Sequence, residues 1–132
     1  REKGDFYMNL IEQLGIQKLV LTPTGFTAQM PLGNFHAQPQ GFLNGGATLA
    51  FAEVAAGMAS NLLLDDKHFA VGQAVNGNHL NPTKAAGILF AQGLLLHKGG
   101  RTHVWELKFT DAREVLVAQV TVTNAIVAKR YE

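Results

Sequence analysis

Between Ala37 and Leu64 the chain carries a single ionisable side chain, Glu53, set in the middle of an apolar helical run. A helix apolar on nearly every face must be wrapped by protein or by lipid. From Gly45 to Leu64 the run approaches the roughly 20 residues of a membrane span. Glu53, Ser60, Asn61 and the many Ala and Gly residues inside it argue against lipid. The helix is therefore expected at the centre of a protein core. A carboxylate buried there costs several kcal/mol unless something compensates, so Glu53 is expected to be shielded from solvent and to have a use.

The 132 residues, 47% hydrophobic, suffice for one domain with its own core, taken here as residues 1–132. A formal net charge of +1 points to no electrostatic partner, and nucleic acid is not expected. The absence of cysteine excludes disulfides, thiolate zinc sites and a cysteine nucleophile, and fits a cytosolic protein. The first residues show no signal-peptide pattern, and a start at Arg1 rather than Met is expected of a trimmed chain.

Asp5 to Leu14 reads as a short amphipathic helix, with Phe6, Leu10, Ile11 and Leu14 on one face and Gly15 as its stop. Lys18 to Met30 suggests a hairpin turning near Pro23-Thr24-Gly25. After the loop Pro31–Leu43 and the long helix, the rest is β. Strands are expected over Val71–Leu80, Gly87–Leu96, Thr102–Thr110 and Glu114–Val127, with a tight turn at Gly99-Gly100. Alternation puts His103, Trp105, Leu107 and Phe109 on one face, and likewise Leu116, Ala118, Val120 and Val122. Val115, Val117 and Leu89 are assigned to the opposite face, where a second subunit would cover them. The sum is an α+β domain, an antiparallel sheet curled around one apolar helix.

Elimination narrows the chemistry. Ser60 is the only serine and lacks a Gly-x-Ser-x-Gly setting. His36, His68, His79, His97 and His103 show no metal-ligand spacing, and no Gly-x-Gly-x-x-Gly follows a strand. A hydrolase built on this chain needs a carboxylate as base or nucleophile. Glu53 fits if burial raises its pKa towards neutrality; it also fits a buried acid that satisfies a neighbouring donor. Asn44-Gly45-Gly46 fits an oxyanion site made of unhindered amides, and fits equally an Asn N-cap followed by glycines for close packing. Gly45 and Glu53 are eight residues apart, about 12 Å along a helix, whereas both must reach one carbonyl within about 3 Å. The working pair is therefore expected from two chains related by a two-fold axis. His97-Lys98-Gly99-Gly100-Arg101 suits a phosphate cradle or a solvated hairpin turn. His79, in Asn78-His79-Leu80-Asn81-Pro82, suits a pocket at a strand end or a bond to a backbone carbonyl.

Together these motifs resemble the hotdog-fold acyl-CoA thioesterases, in particular the phenylacetate-type branch and, within it, the 1,4-dihydroxy-2-naphthoyl-CoA and aryl-acyl thioesterases. That signature runs Gln or Asn, five residues, His-Gly-Gly, then an acidic residue eight positions after the first Gly. Here it reads Gln38, Asn44-Gly45-Gly46 and Glu53, and the likeness continues through Asn78-His79-Leu80, His97-Lys98-Gly99-Gly100-Arg101 and Val104-Trp105.

The resemblance implies a helix held in a five-stranded sheet, homodimers with shared active sites and homotetramers built from them. It implies thioester hydrolysis without metal or other cofactor, the substrate being an acyl-CoA. Glu53 would be nucleophile or general base, Gln38 would orient water or thioester, and the Gly45 amide would polarise the carbonyl. Asn44, Gly46, Gly57 and Met58 would contact substrate, and His79 with Gly99, Gly100 and Arg101 would lie near the CoA phosphates and nucleotide. Phe42, Phe51, Met58 and Phe69 would set the depth of the acyl pocket. Two positions depart from the pattern: Asn44 replaces the family His, and Asn81 stands where close relatives often carry Arg. They keep two alternatives open, a thioesterase acting on acyl groups held by a carrier protein and a non-catalytic acyl-CoA binder.

Overall fold

The computed structural model describes residues 8–130. Helix α1 spans Leu10–Leu14 and is fixed by a capping box: Asn9 Oδ1 accepts from the Glu12 amide at 2.9 Å, and the Glu12 carboxylate accepts from the Asn9 amide at 3.1 Å. Gly15, at φ 75°, ends it in the left-handed conformation, as expected. The expected first turn, from Asp5, falls partly outside the described residues. Strands β1 (Gln17–Leu21) and β2 (Gly25–Pro31) form the anticipated hairpin. Then follow α2 (Gly45–Leu62), β3 (His68–His79), β4 (Ile88–Lys98), β5 (Thr102–Thr110) and β6 (Leu116–Ala128).

All strand pairs are antiparallel, in the order β1-β2-β4-β5-β6-β3. The sheet therefore has six strands, one more than the resemblance implied, because the short β1 pairs with β2. Helix α2 lies on its inner face. Phe51, Ala52, Ala55, Ala56 and Ala59 from the helix pack with Phe26, Met30, Trp105, Leu107, Phe109, Val120 and Val122 from the sheet, all fully buried. The small side chains of α2 let it sit close to the sheet, and the large residues come from the strands. Phe26 meets Trp105, and Phe51 meets Phe109, edge to face with ring centres 5.1 Å apart.

Three expectations about faces need correction. Leu89 and Val117 are buried in the core, not displayed on the outer face. Leu116, assigned inward, borders the outer surface with Lys18, Phe90 and Lys108. For Leu116 and Val117 the reason is a bulge: the β5–β6 register slips between Phe109↔Ala118 and Thr110↔Leu116, leaving Val117 as the extra residue. One inserted residue reverses the alternation for everything before it. Helix α2 is also not wrapped on all sides within one chain. The stripe bearing Glu53 and Asn61 is exposed, and Met58 and Leu62 beside it are exposed too. A single sheet covers only part of a helix circumference, and here the sheet stops at edge strand β3.

Towards its C-terminal end α2 is tied to the sheet by a buried polar knot. Ser60 Oγ accepts from Trp105 Nε1 at 2.8 Å and from Asn124 Nδ2 at 3.0 Å, and its hydroxyl donates to His103 Nδ1 at 2.9 Å. Burial holds the His103 imidazole below its ordinary pKa, and Lys98 and His97 push the same way. The only serine of the chain is thus structural.

Candidate active site

The loop before α2 is built by its own hydrogen bonds. Gln38 Oε1 accepts from the amides of Gln40 and Phe42, while the Gln38 amide donates to the Phe42 carbonyl at 2.8 Å. These bonds hold the side-chain amide by its oxygen, and its Nε2 has no acceptor among the described residues. Asn44 is the N-cap of α2, its Oδ1 accepting from the Gly46 amide at 2.9 Å. The structural role considered for Asn44 is therefore real, and it takes up the Gly46 amide. The Gly45 amide, the first of the helix, has no acceptor among the described residues.

Gln38, Gly45, Thr48 and His79 line one cleft of about 330 Å³. It lies between the start of α2 and the end of β3, where His79 pairs with Ala118. The His79 ring packs directly on Gly45: a Cβ there would sit 2.8 Å from Nε2. Position 45 thus needs glycine for contact as well as for access to its amide. The Thr48 hydroxyl, fully buried, has no hydrogen-bond partner among the described residues.

Glu53 is not in this cleft. In the single chain it is exposed rather than shielded, because α2 turns this stripe away from the sheet. Its carboxylate lies against the edge strand, where a Cβ on Gly72 would come within 2.5 Å of Oε2. Gly57 is half-buried and Met58 39% exposed on the same open side of the helix. Phe51 belongs to the core and is not part of the cleft wall, whereas Phe42, 40% exposed, borders the cleft. Gly99, Gly100 and Arg101 lie at the far end of the sheet: His79 pairs with Ala118, Thr102 with Ala125. Seven strand residues place them roughly 20 Å from His79 within one chain. They do not join His79 there.

Several supporting residues escaped the sequence reading. His36 is buried, its Nε2 donating to the Leu14 carbonyl at 2.8 Å and its Nδ1 accepting from the Gly33 amide. Its carbonyl accepts from the Asn44 amide, so it fastens the cleft loop to α1. On the other side, Leu43 N–H donates to the Thr83 carbonyl at 2.8 Å and Ala85 N–H to the Gly41 carbonyl at 3.0 Å. Thr83 in turn donates its hydroxyl to buried Asp111 Oδ2, which also accepts from Arg113 Nη2 at 2.8 Å and Nε at 3.2 Å. Burial pushes the Asp111 carboxyl up. The Arg113 guanidinium, the Val115 and Arg113 amides and the Thr83 hydroxyl outweigh it and bring it down to about 2. An Asp two residues from an Arg is too common a pattern to flag this anchor. No group of three or more metal-ligating side chains comes together among the described residues.

Helix, sheet and cleft define a hotdog fold, and residues 40–118 match the model of the Thioesterase superfamily, to which the chain belongs. The chain is 32% identical over 123 residues to the 1,4-dihydroxy-2-naphthoyl-CoA hydrolase of Listeria monocytogenes, covering 93% of this chain and 99% of that one. Among solved structures, the yhdA protein of Lactococcus lactis is 52% identical with a TM-score of 0.89, covering 93% of this chain and 100% of that one. Thioesterase HI1161 of Haemophilus influenzae, 26% identical, superimposes with a TM-score of 0.84 over 92% of this chain and 86% of that one. The chain is a thioester hydrolase. Among the described residues no helix is long and apolar enough to cross a membrane.

Proposed function

We propose that the protein hydrolyses an acyl-CoA thioester to the free acid and CoA, acting in the cytosol as a homodimer with two shared sites. The acyl group is aromatic, of the 1,4-dihydroxy-2-naphthoyl kind. The observation that carries this reading is the free Gly45 amide in a cleft with Gln38 and His79, while the nearest apolar-helix carboxylate, Glu53, faces away. Strand β3 is an edge with no partner on its outer side among the described residues, and Glu53 lies against it at Gly72. Pairing two such edges about a two-fold axis would shield both glutamates and bring each towards the other chain's Gly45. Homotetramers would then arise by packing of the outer sheet faces, where Val20, Leu94 and Leu96 are exposed.

In this reading the thioester carbonyl oxygen accepts from the Gly45 amide, whose hydrogen bond strengthens as negative charge develops. Gln38 Nε2 orients the attacking water or the thioester. Glu53 takes a proton from that water, or attacks the carbonyl carbon itself to give an anhydride that water then opens. The tetrahedral adduct collapses with loss of the CoA thiolate, which takes up a proton. Asn44, Gly46, Gly57 and Met58 bound the acyl group, and the partner's turn at Gly99, Gly100 and Arg101 contributes to the CoA end.

Glu53→Ala is expected to lower turnover at least about a hundredfold; near-normal turnover removes Glu53 from the mechanism. Mixing Glu53→Ala with a variant blocked at Gly45 should restore part of the activity in mixed dimers, and no recovery with exchange confirmed overturns the shared site. A second reading, hydrolysis of an acyl group held on a carrier protein's phosphopantetheine arm, is favoured by Asn81. This residue stands where an Arg would meet phosphate, and its Nδ2 is committed to the Leu116 carbonyl at 2.8 Å.

A further inference from the structure

Beside the cleft lies a second cavity of about 410 Å³, and the two share Phe42, Pro82 and Thr83 as a common wall. Its other side carries two cations, Lys84 and Arg113. Lys84 is exposed and forms no ion pair among the described residues. Arg113 is held differently. Its Nε and Nη2 both bond Asp111 Oδ2, which orients the guanidinium and leaves three of its five N–H donors unused. The edge formed by the two terminal nitrogens is the one that takes a phosphate in a paired contact.

Asp111 shares the wall, and its negative charge offsets one of the two cations; its oxygens are engaged by Arg113, Thr83 and two backbone amides, so the recess keeps a net positive charge from Lys84 and from the free edge of Arg113. Glu114, the next residue, is not part of the cavity wall. The result is a small positively charged recess whose wall is continuous with a cleft that holds the reacting carbonyl. The backbone joins the two firmly: Phe42 and Lys84 form a β-bridge, flanked by the Leu43–Thr83 and Ala85–Gly41 hydrogen bonds.

Resting on the reading of the previous section, we infer that Lys84 and Arg113 form the anion subsite for the phosphates of the thiol carrier. The pantetheine arm would pass over Pro82 between the two cavities. This supplies positive charge that Asn81 does not, from residues three and 32 positions further along the chain. The shared chemistry is a phosphate ester on a pantetheine arm, present both in CoA and on a carrier protein.

The test compares wild type with Lys84→Glu and with Arg113→Gln on three thioesters of one aromatic acid: with CoA, with 4′-phosphopantetheine and with N-acetylcysteamine, which has no phosphate. Lys84→Glu is expected to raise KM for the CoA thioester about tenfold or more with kcat little altered. The ratio of its kcat/KM to that for the phosphate-free thioester should fall by the same factor. Arg113→Gln should lower that ratio too; because it also loosens the Asp111–Thr83 anchor, it is read by the ratio and not by kcat. An equal loss on the phosphopantetheine thioester assigns the subsite to the phosphate next to the arm; a loss confined to CoA assigns it to the nucleotide end. Unchanged KM, or an equal loss on the phosphate-free thioester, overturns the subsite. Calorimetric titration with CoA itself gives an answer independent of hydrolysis: Lys84→Glu should weaken binding about tenfold, and equal affinities overturn the proposal. If wild type hydrolyses none of the thioesters, the catalytic reading fails while this titration still decides the subsite.

Discussion

Asp111 offers the perturbation whose size follows most directly from the structure. It is a buried carboxylate held at about 2 by Arg113, two backbone amides and the Thr83 hydroxyl. Bringing a carboxyl from 3.8 to about 2 corresponds to about 2 kcal/mol at about 1.4 kcal/mol per pH unit. Its main side-chain partner, Arg113, is 68% exposed, so solvent screening reduces this contribution to about 1–2 kcal/mol. The sign is that of a depressed acid. The folded chain holds fewer protons than the unfolded one between the two pKa values, so the contribution is complete above about pH 4 and disappears as pH falls towards 2. Urea denaturation of wild type and Asp111→Asn should therefore differ by about 1–2 kcal/mol at pH 7, by less at pH 3.5, and scarcely at pH 2. A difference that is constant with pH, or below about 0.5 kcal/mol at pH 7, would refute the reasoning. Thr83 also carries the carbonyl that holds Leu43, so the folded variant should lose turnover severalfold at pH 7.

Two further outcomes follow from packing. Gly45→Ala puts a Cβ 2.8 Å from His79 Nε2, next to the free amide, so turnover should fall at least tenfold while circular dichroism stays that of the wild type; activity within twofold would remove the Gly45 amide from the site. Ser60→Ala orphans the Trp105 and Asn124 donors deep in the core. It should cost roughly 2–4 kcal/mol of stability and leave turnover per folded molecule unchanged, as measured by denaturation and active-protein assays; a kinetic defect without destabilisation would contradict its structural role.

What the sequence disclosed and what it hid divide along one physical line. Regular period-two burial is local, and β5 shows it: His103, Trp105, Leu107 and Phe109 all face the core as alternation requires. Helix α2 was legible from its composition, and its start from Asn44, whose capping oxygen is used as such. Alternation failed at Val117, because a bulge is decided by which strand pairs opposite, not by the residues inside it. Glu53 failed for a related reason. An acid in an apolar run signals that some surface covers it, but not that the surface belongs to the same chain. The described chain leaves that stripe of α2 open beside an unpaired strand edge. Gln38, Gly45 and His79 converge because the start of α2, its preceding loop and the end of β3 meet at one corner. Gly99, Gly100 and Arg101 sit at the opposite corner, and a two-fold axis perpendicular to β3, as the proposed dimer requires, would exchange such corners. The same arithmetic that separated Gly45 from Glu53 by about 12 Å along one helix is why the proposed mechanism calls for two copies, with Lys84 and Arg113 proposed as phosphate ligands on the chain that offers Gly45.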